Sequence, residues 1–121
     1  MTYDENNIFA KILRGEIPCK KIYEDEFVLS FFDINPQKKI HALVIPKGKY
    51  INLDDFACKA SEKEIVGLIK GLNTVAQKLN ISSNTGKGYR ALTNISENGG
   101  QEVPHLHFHL FGGEKIGKMV E

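Results

Sequence analysis

A chain of 121 residues with 41% hydrophobic content is the size of one domain around one packed core, expected to span 1–121. Sixteen basic residues against fifteen acidic ones leave a formal charge of +1, which excludes general attraction to nucleic acid or an anionic membrane; any phosphate must be held locally. Cys19 and Cys58 form no Cys-x-x-Cys pair, which excludes a zinc ribbon, redox pair or disulfide scaffold and suits reduced thiols in a cytosol.

The start, Met1 to Asn7, is acidic and polar where a secretory signal would be basic and then apolar, so a cytoplasmic location is expected. Ile8, Phe9, Ile12 and Leu13 recur at helical spacing after Asn7, a capping residue, and Gly15 and Pro18 end the pattern. That predicts a short first helix. Lys20 to Tyr23 and Phe27 to Phe32 flank an acidic Glu24-Asp25-Glu26 turn and predict a hairpin closed by Asn35-Pro36. His41 to Ile45 is a third strand ended by Pro46, and a polar segment, Lys47 to Asp55, leads to the one long helix.

That helix opens on a capping box, Ser61 with Glu64, and carries a buried stripe of Ile65, Leu68, Ile69, Leu72, Val75, Ala76 and Leu79. Gly88 to Thr93 is a fourth strand, Asn94 to Gly100 a loop, and Val103 to Phe111 a fifth strand ended by Gly112-Gly113. The apolar runs at 27–32 and 42–45 are far below the ~20 residues of a membrane-spanning helix. The expected class is α+β: an antiparallel sheet of about five strands, with one long and one short helix on one face.

Three of the four histidines fall within five residues, in Val103-Pro104-His105-Leu106-His107-Phe108-His109-Leu110-Phe111. Alternation along a strand sends His105, His107 and His109 to one face, toward solvent or a cleft, and Leu106, Phe108 and Leu110 to the other. Neutral imidazole is both a nucleophile and a proton carrier, and phosphorus chemistry uses both properties. If His107 attacks phosphorus and expels an amine or alcohol, water can clear the phospho-imidazole, and flanking imidazoles can hold phosphate oxygens and supply protons. Alternating histidines also begin metal sites, and His41 is a candidate fourth ligand.

Asn94 and the loop Asn98-Gly99-Gly100-Gln101 precede the histidines, and adjacent glycines let backbone N–H groups approach an anion. Asp33, before Asn35-Pro36, is either an acceptor for a pair of sugar hydroxyls or a turn residue capping its own backbone. Phe9, Ile12, Ile17 and Phe31 either line a purine slot or belong to the core.

His105-Leu-His-Phe-His-Leu-Phe111 resembles the His-φ-His-φ-His-φ-φ signature of the histidine triad (HIT) superfamily. Ile8-Phe-Ala-Lys-Ile-Leu-Arg-Gly-Glu-Ile-Pro18, Phe32-Asp-Ile-Asn-Pro-Gln37, His41-Ala-Leu-Val-Ile-Pro-Lys47 and Gly99-Gly-Gln101 look like its Hint branch, so the resemblance covers nearly the whole chain. It implies a HIT-like fold and a homodimer whose sheets join across the interface. It also implies a metal-independent, cofactor-free hydrolase of purine nucleoside 5′-phosphoramidates such as lysyl or aminoacyl adenylates. His107 would be the nucleophile, His105 and His109 its flanking partners, and His41 the fourth histidine of a proton relay. Asn94 would contact the α-phosphate or leaving group, Asp33 the ribose, and Gln101 would lie beside the phosphate. Phe9, Ile12, Ile17, Phe31 and Ile34 would wall the purine pocket. Where some members carry a phosphate-touching serine this chain has Glu102, whose charge repels an anion unless only its N–H is used. Dinucleoside polyphosphate hydrolysis or nucleotidyl transfer, and a zinc- or nucleotide-binding module without catalysis, are the alternatives.

Overall fold

The computed structural model describes residues 2–120. Helix α1 (Ile8–Leu13) starts where expected, with the Asn7 side chain accepting the Ala10 N–H at 2.9 Å. Gly15, at φ +78°, ends it in a conformation open to glycine without strain. Strands β1 (Lys21–Glu24) and β2 (Val28–Phe32) form the expected hairpin, because Asp25 Oδ1 accepts both the Phe27 and Val28 N–H groups and fixes the turn. Strand β3 (Ile40–Pro46) pairs antiparallel with β2 from Val28 opposite Pro46 to Phe32 opposite Ala42.

The connection expected to be polar coil contains a two-turn helix, α2 (Leu53–Lys59), whose start is capped by Asn52 accepting the Asp55 N–H at 2.9 Å. Phe56 anchors it in the core, so tertiary burial stabilises a helix too short to form alone. Helix α3 (Glu62–Lys78) has the full capping box: Ser61 Oγ accepts the Glu64 N–H and the Glu64 carboxylate accepts the Ser61 N–H. Leu68, Leu72, Val75 and Ala76 of the expected stripe are buried, but the buried face is rotated from it, because Ile65 is 37% and Ile69 59% exposed while Gly67 and Gly71 are buried. The glycines cause the rotation. A Cβ on Gly67 would lie 2.5 Å from the Phe27 ring, and one on Gly71 2.8 Å from a Val28 methyl, so the helix settles on its glycines.

Strand β4 (Arg90–Leu92), the short helix α4 (Ser96–Gly99) and strand β5 (Phe108–Gly112) complete an all-antiparallel sheet in the order β1-β2-β3-β5-β4. The α+β class and the five strands are as expected; α2 and α4 are additional.

The two faces of the sheet pack differently. Val28, Ala42, Val44 and Leu110 meet Leu68, Leu72 and Val75 of α3 and Phe56 of α2. Leu29, Phe31, Leu43 and Ile45 meet Phe9 of α1. Helices therefore cover both faces, contrary to the one-face expectation, since α1 is too short to compete with α3 and closes the other side. His109 stands opposite Leu43 and His41 opposite Phe111, which places both histidines on the face that α1 covers.

Candidate active site

The histidine segment is only partly a strand. Pairing begins at Phe108, five residues later than the expected Val103 start. Pro104 has no N–H to give; the His105 N–H bonds the Val103 carbonyl at 2.9 Å, and the Leu106 N–H bonds Tyr50 O at 2.8 Å. The alternation of faces survives, with Leu106 and Leu110 in the α3-side core. The expectation of imidazoles facing solvent does not. His41, His105 and His107 are 2%, 0% and 6% exposed, because α1 covers this face.

The hydrogen bonds fix where each ring carries its proton. His107 Nδ1 lies 2.7 Å from the His105 carbonyl, which can only accept, so Nδ1 is the protonated nitrogen and Nε2 keeps its lone pair. The Phe9 ring stands edge-on to His107 at a centroid distance of 4.9 Å, and Thr93 Oγ1 donates to the His107 carbonyl at 2.7 Å. A second chain runs beside it. The Gln37 N–H donates to His41 Nδ1 at 3.2 Å, leaving the proton on Nε2, which sits 2.9 Å from His109 Nδ1 and 3.4 Å from Asp33 Oδ2. His109 thus accepts on Nδ1 and presents an Nε2–H. His107 and His109 lie 5.2 Å apart by ring centroids.

Burial holds all four rings neutral. It pushes His105 down to about 4, with the neighbouring His107 adding repulsion. His109 is also pushed down to about 4 by burial, reinforced by repulsion from His107 and His41 and opposed by Asp33. His107 and His41 are lowered by burial, against an upward pull from the His105 carbonyl, Asp33 and Glu102 on His107 and from Asp33 on His41. Neutral imidazole with a free Nε2 is the nucleophilic form.

Asp33 is a turn cap through Oδ1, which accepts the Asn35 N–H at 2.8 Å, while Oδ2 faces His41 Nε2 at 3.4 Å. Asp33, His41 and His109 bring ligand-type atoms within 4.8 Å of one another, the composition of a metal site. The Gly99-Gly100 loop departs from expectation. The Gly100 N–H bonds the Glu97 carbonyl and the Gln101 N–H bonds the Ser96 carbonyl, so neither amide is free for an anion. The Gln101 side chain is also committed, donating to Ile51 O and Val103 O and accepting the Ser96 N–H. Gln101 is a strut for the loop. Asn94 is half-buried, its backbone backing onto Gly99, and Glu102 is exposed.

Phe9 and Phe31 are buried in the core at a centroid distance of 5.7 Å, Ile12 and Ile17 are half-buried, and Ile34 is 85% exposed. Surface hollows of about 580 Å³ beside α3 and about 960 Å³ between Asn80–Arg90 and Gly113–Gly117 contain no histidine. Three residues at the site carried no readable signal in the sequence: Gln37 acts through its backbone, Thr93 follows an ordinary strand, and Tyr3 reaches His105 Nδ1 at 2.6 Å from 102 positions away.

Comparison with known proteins agrees with this geometry. A HIT domain matches residues 14–116. A HIT-like protein of Azospirillum brasilense is 53% identical over 119 residues, covering 98% of this chain and 95% of its own. The purine nucleoside phosphoramidase of Escherichia coli is 37% identical over 116 residues, covering 96% of this chain and 94% of its own. The solved structure of a HIT family hydrolase from Clostridium thermocellum superposes with a TM-score of 0.85 at 39% identity, covering 98% of this chain and 99% of that one. The imidazoles gathered by β3, β5 and the segment leading into β5, the antiparallel sheet beside them and these likenesses together make the chain a member of the HIT family.

Proposed function

We propose that this protein is a hydrolase of purine nucleoside 5′-phosphoramidates, AMP–lysine or aminoacyl adenylates among them, acting through a nucleotidyl-His107 intermediate. The observation that carries the reading is the 2.7 Å bond from His107 Nδ1–H to the His105 carbonyl, which leaves the Nε2 lone pair for attack. Nε2 bonds to the α-phosphorus as the P–N bond breaks, and the departing amine takes a proton from the His41–His109 chain through His109 Nε2–H. Water then attacks phosphorus, the P–Nε2 bond breaks, the water proton returns to that chain, and the nucleoside monophosphate leaves. Splitting one displacement into two lowers each barrier. The Escherichia coli relative, named for its phosphoramidase activity, supports the substrate class.

The substrate contacts follow the same reading: Asp33 toward the ribose, Asn94 toward the α-phosphate or leaving group, and Ile12, Ile17 and Ile34 flanking the base over Phe9 and Phe31. Because the Gly100 and Gln101 amides are committed, their part, with Glu102, is to shape the loop at the phosphate. The chain works as one cytoplasmic domain, 1–121, in a homodimer. Edge strands β1 and β4 and the exposed Ile65, Val66 and Ile69 of α3 supply surface for that assembly. No metal takes part in this reading, and turnover should persist in EDTA.

His107→Ala is the direct test. It should abolish turnover of an adenosine phosphoramidate while AMP binding persists; an unaffected rate removes the mechanism. A wide preference for diadenosine polyphosphates over phosphoramidates in parallel assays reassigns the substrate, and activity lost to chelators with zinc retained through dialysis favours a metal site at Asp33, His41 and His109.

A further inference from the structure

The arm ahead of α1 has no part in the chemistry above and precedes the residues that match the HIT domain, 14–116. It is nonetheless fastened to the body. Lys49 Nζ pairs with the Glu5 carboxylate at 2.9 Å, the Arg14 guanidinium donates to the Glu5 carbonyl at 2.9 Å, and the Asn7 side chain donates to Asp4 O at 2.7 Å. The fastening delivers Tyr3 to His105, with the hydroxyl 2.6 Å from Nδ1 and the rings edge-on at 5.6 Å.

His105 needs that hydroxyl. The ring is wholly buried, and its Nε2 lies 2.9 Å from Pro46 O, an acceptor, so Nε2 carries the proton. The neutral ring then has a lone pair on Nδ1 that must meet a donor, since an unsatisfied buried acceptor is costly. Burial raises the Tyr3 phenol above its ordinary value, so the O–H persists across the working pH range. The carbonyl of this same His105 accepts the His107 Nδ1–H. A displaced His105 ring therefore moves the acceptor that orients His107.

We propose that Tyr3 is a positioning residue for the hydrolysis: by donating to His105 Nδ1 it locks that ring and backbone, and through the His105 carbonyl it sets the direction of His107 Nε2. The inference rests on the function proposed above for its kinetic consequence, and on the contact alone for its structural one. A segment outside the matched domain thereby tunes the nucleophile.

Tyr3→Phe keeps the ring and removes the donor. In the full-length ¹⁵N-labelled protein, wild-type His105 should show a single tautomer with Nε2–H and a bare Nδ1, and the variant should show mixed tautomers and an upward shift of the His105 titration. On an AMP amide, kcat should fall about tenfold with KM changed by less than about twofold, and the acid limb of kcat should move to higher pH. A variant with wild-type imidazole signals, or with altered signals but wild-type kcat, overturns the positioning role. A wild-type protein that fails to turn over the amide, while the variant still loses the single tautomer, removes the hydrolase reading and leaves the Tyr3 lock standing.

Discussion

Acid should unfold this protein through His105, and the size of the effect follows from its surroundings. Burial takes His105 from its ordinary 6.5 down to about 4. A histidine lowered in the folded state contributes stability that is fully present above the unfolded value and is lost as pH falls toward the folded one, because only the unfolded chain binds the proton in that window. Working the linkage between 6.5 and about 4 gives a loss of about 2 kcal/mol at pH 5 and about 3 kcal/mol at pH 4. Against a total stability of ~5–15 kcal/mol that is a large fraction. Carboxylates titrate in the same range, so the measurement is a difference: urea unfolding of wild type and His105→Gln between about pH 7.5 and about pH 5. The variant starts less stable, having lost the Tyr3 and Pro46 bonds, and the gap should narrow by about 2 kcal/mol toward pH 5 as only the wild type loses stability at this site. Parallel pH dependences for the two proteins would refute the reasoning.

Removing the loop strut with Gln101→Ala deletes the donations to Ile51 O and Val103 O and the acceptance from the Ser96 N–H. Stability should fall by about 1–3 kcal/mol, and AMP affinity should weaken along with it in calorimetry; unchanged values for both would show that the loop holds itself. Gly67→Ala should lower Tm despite alanine gaining up to ~1 kcal/mol in helix propensity, because the new methyl meets the Phe27 ring at 2.5 Å and overpacking costs about 1–3 kcal/mol. A raised Tm would show that α3 can shift outward freely.

What could be read from the chain depended on whether the signal was local. The Asn7 cap, the Asp25 turn, the Ser61–Glu64 capping box and the histidine alternation are each set within a few residues, and each appears where the pattern puts it. Helix α2 was invisible because its stabilising contact, Phe56 in the core, is made with distant strands. The α3 stripe misled for the opposite reason. A periodicity argument ranks isoleucine above glycine, yet the close approach of Phe27 and Val28 places Gly67 and Gly71 inward and leaves Ile65 and Ile69 outside. Likewise the Gly99-Gly100 pair reads as an anion cradle by composition, while the Gly100 amide is consumed by the Glu97 carbonyl and the Gln101 amide after it by that of Ser96. His105 and His107 could be named from sequence; their burial could not, because it depends on α1 crossing to the face away from α3.

That burial also bears on whether Asp33, His41 and His109 work as a metal site or a proton chain. Two imidazole nitrogens on one tetrahedral zinc, each ~2.0–2.1 Å from it, stand about 3.3 Å apart with both lone pairs aimed at the ion. Here His41 Nε2 and His109 Nδ1 are 2.9 Å apart, a hydrogen-bond distance, and the Gln37 N–H on His41 Nδ1 turns the His41 proton toward His109. Binding a cation would require expelling that proton and separating the rings against the packing of His41 on Phe111 at 4.3 Å. A chain of neutral imidazoles needs no such change to act. Its protons are already ordered from Gln37 through His41 to His109 Nε2, and a negative charge arriving beside it raises the affinity of each ring for a proton. The same burial that keeps His107 neutral with its Nε2 lone pair free leaves His109 with an oriented Nε2–H, and the two rings differ in what claims Nδ1: an accepting backbone carbonyl for His107, the donating His41 Nε2–H for His109.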